Sequence, residues 1–148
     1  MAASINELFS VLSSVTNEPK ALWGKMSFQH MIEHLCLAFR MSNGKLIVEC
    51  YTPVEKQPTL KKILMSERPL PKNFINPNYG ENLLPLEFAT VEEALAGLNR
   101  EIDDYANCFL QKPDSVFNNM VFGALNKEEW EVFHGKHFRH HLSQFGLI

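Results

Sequence analysis

The feature that most constrains this sequence is a helical stripe near its C-terminal end that carries three histidines. Five side chains recur there at i, i+4, i+7, i+11 and i+15, the spacing of one helix face: Trp130, His134, His137, His141 and Phe145. The opposite side is polar and carries Glu129, Lys136, Arg139, His140 and Ser143. A buried imidazole is costly unless its nitrogens find partners. Three inward-facing histidines therefore favour a shared partner, and a metal ion is the simplest one.

Apolar periodicity, together with start and stop signals, predicts four helices. The first follows a capping box at Ser4–Glu7 and runs to about Ser14. The second begins after the N-cap residue Ser27 and stops at Asn43-Gly44.

The third and fourth helices have equally clear boundaries. The third follows a capping box at Thr90–Glu93 and ends before Pro113. The fourth begins after the N-cap Asn126 and closes at Gly146. Four amphipathic helices with little convincing strand predict an all-α four-helix bundle, formed by residues 1–148 as one domain.

Residues 45–89, between the second and third helices, are the least regular part of the chain. Leu46–Tyr51 has a β-like composition, and its apolar residues are explained equally well by a buried loop or by an interface in a homodimer. Thr59–Met65 is typical of one or two helical turns, and Pro69–Pro85 of a loop. A connection of this length lets the second and third helices run parallel through a crossover.

Composition excludes several classes of function. The net charge is −3, and no cluster of Lys and Arg forms the basic stripe that a nucleic-acid-binding protein needs. No apolar run reaches the length of a membrane span, and the first residues lack the pattern of a signal peptide. The three cysteines are odd in number and far apart, which is typical of a reducing compartment. We therefore expect a cytoplasmic protein that acts on a small-molecule substrate.

The histidine pattern predicts which residues hold the metal. His137 and His141 are spaced i, i+4, so their Cβ atoms lie about 5–6 Å apart on one helix face. A catalytic metal site usually takes three protein ligands and leaves a position open. The second helix offers His30 and His34; His34 lies at the edge of the core stripe, whereas His30 is nearer the helix start. The predicted metal ligands are therefore His34, His137 and His141.

Two further residues are candidates for a catalytic role. His134, or a residue of the 45–89 loop, is predicted to move a proton, the alternative for His134 being a residue that hydrogen-bonds in the core or lines the mouth of a pocket. Gln144, three positions after His141, is predicted to hold a ligand histidine or a bound water, the alternative being a cap contact at the helix end. His140 is expected to be a solvated surface residue and Tyr105 a packing residue.

Several of these residues fall into motifs of a known family. The second helix contains His34-Leu35, and residues 137–144 have the form H-x-x-x-H-x-x-Q. In both respects the chain resembles the DinB-like superfamily of small four-helix metalloproteins, which includes the YfiT-like metal-dependent hydrolases. It looks most like an uncharacterised subgroup, through Trp23–Ser27, Phe122–Trp130 and the ending Lys136–Gly146.

This resemblance implies both a topology and a chemistry. The fold would be an up-down-down-up bundle with a divalent ion, nickel or zinc, held by three histidines at one end. The implied activities are S-transfer or isomerisation that depends on a low-molecular-weight thiol, or hydrolysis of a small molecule. The alternative function is a non-catalytic bundle that binds metal or a partner in a structural or stress-response role. No carboxylate stands at helical spacing from the histidine pair, which argues against a protease.

Overall fold

The computed structural model describes residues 3–72 and 82–148, and this part of the chain is mostly helical. Its five α-helices are α1 (Ile5–Ser13), α2 (Phe28–Ser42), α3 (Gln57–Met65), α4 (Val91–Gln111) and α5 (Lys127–Gln144). A 3-10 turn, Val54–Lys56, leads into α3. Strands β1 (Phe117–Asn119) and β2 (Gly123–Leu125) pair as a short antiparallel hairpin between α4 and α5. None of the helices in the described ranges is long and apolar enough to span a membrane.

The helix starts follow from the capping side chains in the sequence. All four predicted N-cap side chains accept a backbone N–H from three residues further on: Ser4, Ser27, Thr90 and Asn126. Such bonds satisfy N–H groups that have no partner within the helix. One detail differs from the prediction. The carboxylate of Glu93 accepts the N–H of Ala89 at 3.2 Å, so the reciprocal half of that capping box is displaced by one residue.

The middle segment contains more helix than its sequence predicted. Helix α3 spans nine residues and begins before Thr59. Its Leu64 is buried, and the helix packs against α5. Contacts of this kind stabilise a short helix that local propensity alone leaves marginal. The loop predicted at Pro69–Pro85 lies partly outside the described residues, and its described parts, 69–72 and 82–85, contain neither helix nor strand.

The β-like segment Leu46–Tyr51 is not a strand. The N–H of Tyr51 donates to the carbonyl oxygen of Met120 at 2.9 Å, so the end of the segment lies against the turn of the hairpin. Val48 is buried, whereas Ile47 is 91% exposed. The apolar residues of this segment therefore only partly enter the core.

Helices α2 and α4 run in the same direction. Near the start of α2, the amide of Gln29 donates to the carbonyl oxygen of Phe88, just before α4, at 2.7 Å. Farther along both helices, the guanidinium of Arg40 donates to Glu101 at 2.9 Å. The two contacts follow the same order in both helices, which requires a parallel pair joined by the long middle segment.

Helix α5 runs opposite to α2 and passes through the core. Ser42, at the end of α2, contacts His134 in the first half of α5, whereas His34 contacts His137 one turn later. Large side chains of α2, α4 and α5 that are almost fully buried surround this crossing: Leu35, Phe39, Leu98, Phe109, Trp130, Phe138 and Leu142. The three candidate ligands thus project from two rigid helices.

Candidate metal centre

Three imidazoles from α2 and α5 converge on one point. The Nε2 atom of His137 lies 2.9 Å from Nε2 of His34 and 3.2 Å from Nε2 of His141. One ligand atom from each of the three residues lies within 4.8 Å of the others. A zinc–nitrogen bond is about 2.0–2.1 Å long, so two nitrogens on one ion stand roughly 2.9–3.4 Å apart at octahedral to tetrahedral angles. The two separations from His137 fit that range, and the three histidines form a group that could hold a metal ion.

Burial keeps the three imidazoles in the form that binds metals. Burial lowers the pKa of His34 to about 4. It also holds the pKa values of His137 and His141 well below 6.5, and the charges of neighbouring histidines act in the same direction. Neutral imidazole is the ligating form, because its lone pair is not occupied by a proton. His137 and His141 are buried, and His34 is half-buried.

Gln144 determines which nitrogen of His141 carries the proton. The amide nitrogen of Gln144 donates to the carbonyl oxygen of Trp23 at 3.0 Å, so its amide oxygen faces Nδ1 of His141 at 2.7 Å. Nδ1 of His141 must then donate, which leaves the lone pair on Nε2, inside the cluster. Metal-binding histidines commonly have such a partner on the second nitrogen. Gln144 thus contacts the second nitrogen of a candidate ligand histidine, and its role in holding a metal ligand stays a prediction.

The connection between α1 and α2 docks on the same glutamine. The N–H of Leu22 donates to the backbone carbonyl of Gln144 at 2.7 Å. Gly24 follows with a φ of +82°, and a Cβ atom there would lie 2.8 Å from the amide nitrogen of Gln144. Both the left-handed backbone and the close approach require glycine. The Trp23-Gly24 pair of the sequence motif therefore supports the candidate site.

His137 is held differently from His141. Its Nδ1 atom is buried and has no hydrogen-bond partner among the described residues. Its ring lies against Phe133, with 5.0 Å between the ring centroids. Packing, rather than a hydrogen bond to the second nitrogen, therefore orients this candidate ligand.

His134 is not part of the cluster. Its Nε2 atom lies 2.8 Å from the hydroxyl oxygen of Ser42, whose own proton is donated to the carbonyl oxygen of Phe39. The imidazole stacks on the Phe39 ring at 3.7 Å and on Trp130 at 5.2 Å. These contacts match the alternative of a hydrogen-bonded core residue, and none of them supports proton transfer by His134.

His30, His140 and Tyr105 lie outside the triad, and each has its own contacts. His30 is not in the cluster, because its Nδ1 atom lies 2.7 Å from the N-cap hydroxyl of Ser27. Tyr105 packs in the core and donates its hydroxyl to Glu131 at 2.9 Å, as expected of a packing residue. His140 was expected in solvent, but it is half-buried and donates to the backbone carbonyl of Leu70.

Lys136 was placed on the polar face of its helix, and that prediction is wrong. Its side chain is buried, and its ammonium group donates to the carbonyl oxygens of Ser66 at 2.7 Å and Arg68 at 2.6 Å. It thereby satisfies carbonyl groups beyond the C-terminal end of α3, where a cation is favourable. Periodicity could not show this, because the covering segment comes from a distant part of the sequence.

The chain matches none of the protein-family models, curated proteins or solved structures with which it was compared. The candidate site therefore rests on the converging nitrogens, on the burial of the three imidazoles and on the partner of His141.

Proposed function

We propose that His34, His137 and His141 bind one nickel or zinc ion and that the protein is a metal-dependent enzyme. The observation that carries this proposal is the approach of Nε2 of His137 to Nε2 of His34 at 2.9 Å and to Nε2 of His141 at 3.2 Å, with one ligand atom from each of the three residues within 4.8 Å of the others. Neutral imidazoles at such distances direct lone pairs at one another unless a proton or a cation lies between them. Nitrogen ligands suit both nickel and zinc.

We further propose that the reaction is S-transfer or isomerisation with a low-molecular-weight thiol, ahead of hydrolysis. A bound divalent ion supplies a Lewis acid that stabilises a coordinated thiolate or lowers the pKa of a bound water. Three neutral histidines leave the ion's positive charge uncompensated, which favours an anionic further ligand. Within the described residues the candidate ligand cluster consists of histidines alone. A thiolate route suits this composition, because it needs no strong protein base.

We also propose the DinB-like, up-down-down-up four-helix bundle as the fold. It is supported by the parallel pair α2 and α4, by the opposite direction of α5, and by the sequence motifs that carry the resemblance. The resemblance implies that the triad of such a bundle lies toward one end, and we propose that a small-molecule substrate binds there, beside the half-buried His34.

The metal content of the protein without an affinity tag tests the proposal. Mass spectrometry of the wild type should give about one nickel or zinc per chain. His137→Ala should lose it, whereas His30→Ala, a control that removes an imidazole outside the cluster, should retain it. No bound metal in the wild type after supplementation would contradict the proposal.

Circular dichroism of the metal-free protein separates catalytic from structural binding. We expect the metal-free protein and His137→Ala to keep their helical signal and most of their thermal stability, since the helices pack through an extensive core. A structural metal contributes its binding free energy to folding. Loss of cooperative unfolding in the metal-free protein would therefore support the non-catalytic alternative.

A further inference from the structure

Beside the histidine triad lies a group of three side chains, Trp23, Lys72 and His140, which we name the basic rim. The ring centroids of His140 and His141 are 4.8 Å apart. The rings of Trp23 and His140 form a T-shaped contact with 6.0 Å between centroids, and the ammonium group of Lys72 lies 4.3 Å from the centroid of the Trp23 ring. A continuous line of contacts thus joins the candidate ligand His141 to an exposed ammonium group.

The segment that carries Lys72 is tied to α5 at two residues, Lys136 and the rim residue His140. Lys136 donates to the carbonyl oxygens of Ser66 and Arg68, and His140 donates to that of Leu70. Trp23, on the other side of the rim, is also held in place, because its backbone carbonyl accepts a hydrogen bond from the side-chain amide of Gln144. Both sides of the rim are therefore positioned by α5, the helix that supplies two of the three candidate ligands.

The rim carries positive charge. The ammonium group of Lys72 supplies this charge at an exposed position. The face of Trp23 holds the Lys72 ammonium by a cation–π interaction, which keeps the charge beside the site. A ligand that reaches from the triad to the rim therefore meets an aromatic wall and then a cation.

We propose that the basic rim binds a carboxylate or phosphate group of the thiol co-substrate, with Lys72 as the charge partner and Trp23 as the apolar wall. This inference rests on the proposed metal-dependent thiol chemistry. It adds that the thiol co-substrate carries a second, anionic group. Thiols without an anionic group lack the contact with Lys72 and bind more weakly.

Thiol binding to the cobalt(II)-loaded protein tests this inference without measuring activity. The thiolate-to-cobalt absorption band is titrated with mercaptocarboxylic acids of increasing chain length, with their methyl esters, and with the corresponding mercaptoalkyl phosphates. An exposed charge pair contributes modestly, so the best acid should bind about two- to five-fold more tightly than its ester. Comparison of acids with phosphates of equal length identifies which anion the rim prefers.

Lys72→Met should remove the preference for the anionic thiol while leaving cobalt uptake unchanged. Lys112→Met is the matched control, because this exposed lysine follows the end of α4, away from the triad. Equal binding of acids, phosphates and esters at every length would overturn the inference, as would a preference that persists in Lys72→Met. In those cases a thiolate band still appears and the proposed function stands, whereas failure to bind cobalt at all would overturn both.

Discussion

Replacing Gln144 with leucine tests whether this glutamine orients a metal ligand. Leucine retains much of the buried volume but removes both hydrogen bonds, the one from Nδ1 of His141 at 2.7 Å and the one to the carbonyl of Trp23 at 3.0 Å. The imidazole of His141 can then rotate or adopt the other tautomer, with the proton on Nε2. Each change moves the lone pair away from the cluster.

The size of the effect follows from these two contacts. Loss of an outer-shell partner typically weakens metal binding about 10- to 100-fold, or roughly 1.4–2.7 kcal/mol. The Gln144 side chain is buried, so the two groups it leaves behind are also unsatisfied. An unsatisfied buried polar group costs about 1–3 kcal/mol. We therefore expect Gln144→Leu to lower the free energy of unfolding of the metal-free protein as well.

Competition with a chromophoric chelator measures the metal affinity, and urea unfolding measures the stability of the metal-free form. Gln144→Glu separates the two effects. Its carboxylate still accepts from Nδ1 of His141 but cannot donate to the Trp23 carbonyl, so affinity should persist while stability falls. If Gln144→Leu binds metal as tightly as the wild type, the proposed role of Gln144 is refuted.

Two further predictions concern buried charges. Lys136→Met should lower the free energy of unfolding by about 1–3 kcal/mol in urea at neutral pH, because the carbonyls beyond α3 lose their donor; an unchanged midpoint would contradict this. Burial raises the pKa of Glu101, but hydrogen bonds from Arg40 and other donors outweigh burial and leave the pKa below 4.5. The stabilisation that ionised Glu101 provides is therefore fully present above about pH 4.5. It is lost as the pH falls through the pKa of Glu101 in the folded protein, which lies below 4.5. Glu101→Gln should flatten the acid side of a plot of unfolding free energy against pH, and an unaltered slope would count against it.

Helix boundaries could be predicted from the sequence because they depend on neighbouring residues. Asn43-Gly44 ends α2 as predicted, with Asn43 at the C-cap position and Gly44 at a φ of +81°. Gly146, just beyond α5, has a φ of +69°. The predicted start signals also lie within three or four residues of the groups that they satisfy.

The β-hairpin had a local signal too, but a weak one. Its strands are three residues long, too short for their sequences to show a clear alternation of apolar and polar residues. The side-chain oxygen of Asn119 accepts the N–H groups of Val121 and Phe122, and Gly123 has a φ of +81°. Asn119 and Gly123, four residues later, together indicate a turn. They do not indicate that the segments on either side of the turn are strands.

The candidate ligands could be predicted because they lie on regular helices, whereas their surroundings could not. The choice of His34 over His30 follows from the position of each on α2. The burial of Lys136 and the contact of His140 with Leu70 depend on where the segment after α3 crosses α5. Helical periodicity contains no information about that crossing.

The most direct test of the central claim is an X-ray absorption spectrum of the nickel- or zinc-loaded protein. The proposed site predicts three imidazole nitrogens at about 2.0–2.1 Å with further light-atom ligands, and one imidazole fewer in His34→Ala. A sulfur ligand from a cysteine, or an unchanged spectrum in His34→Ala, would contradict the three-histidine site.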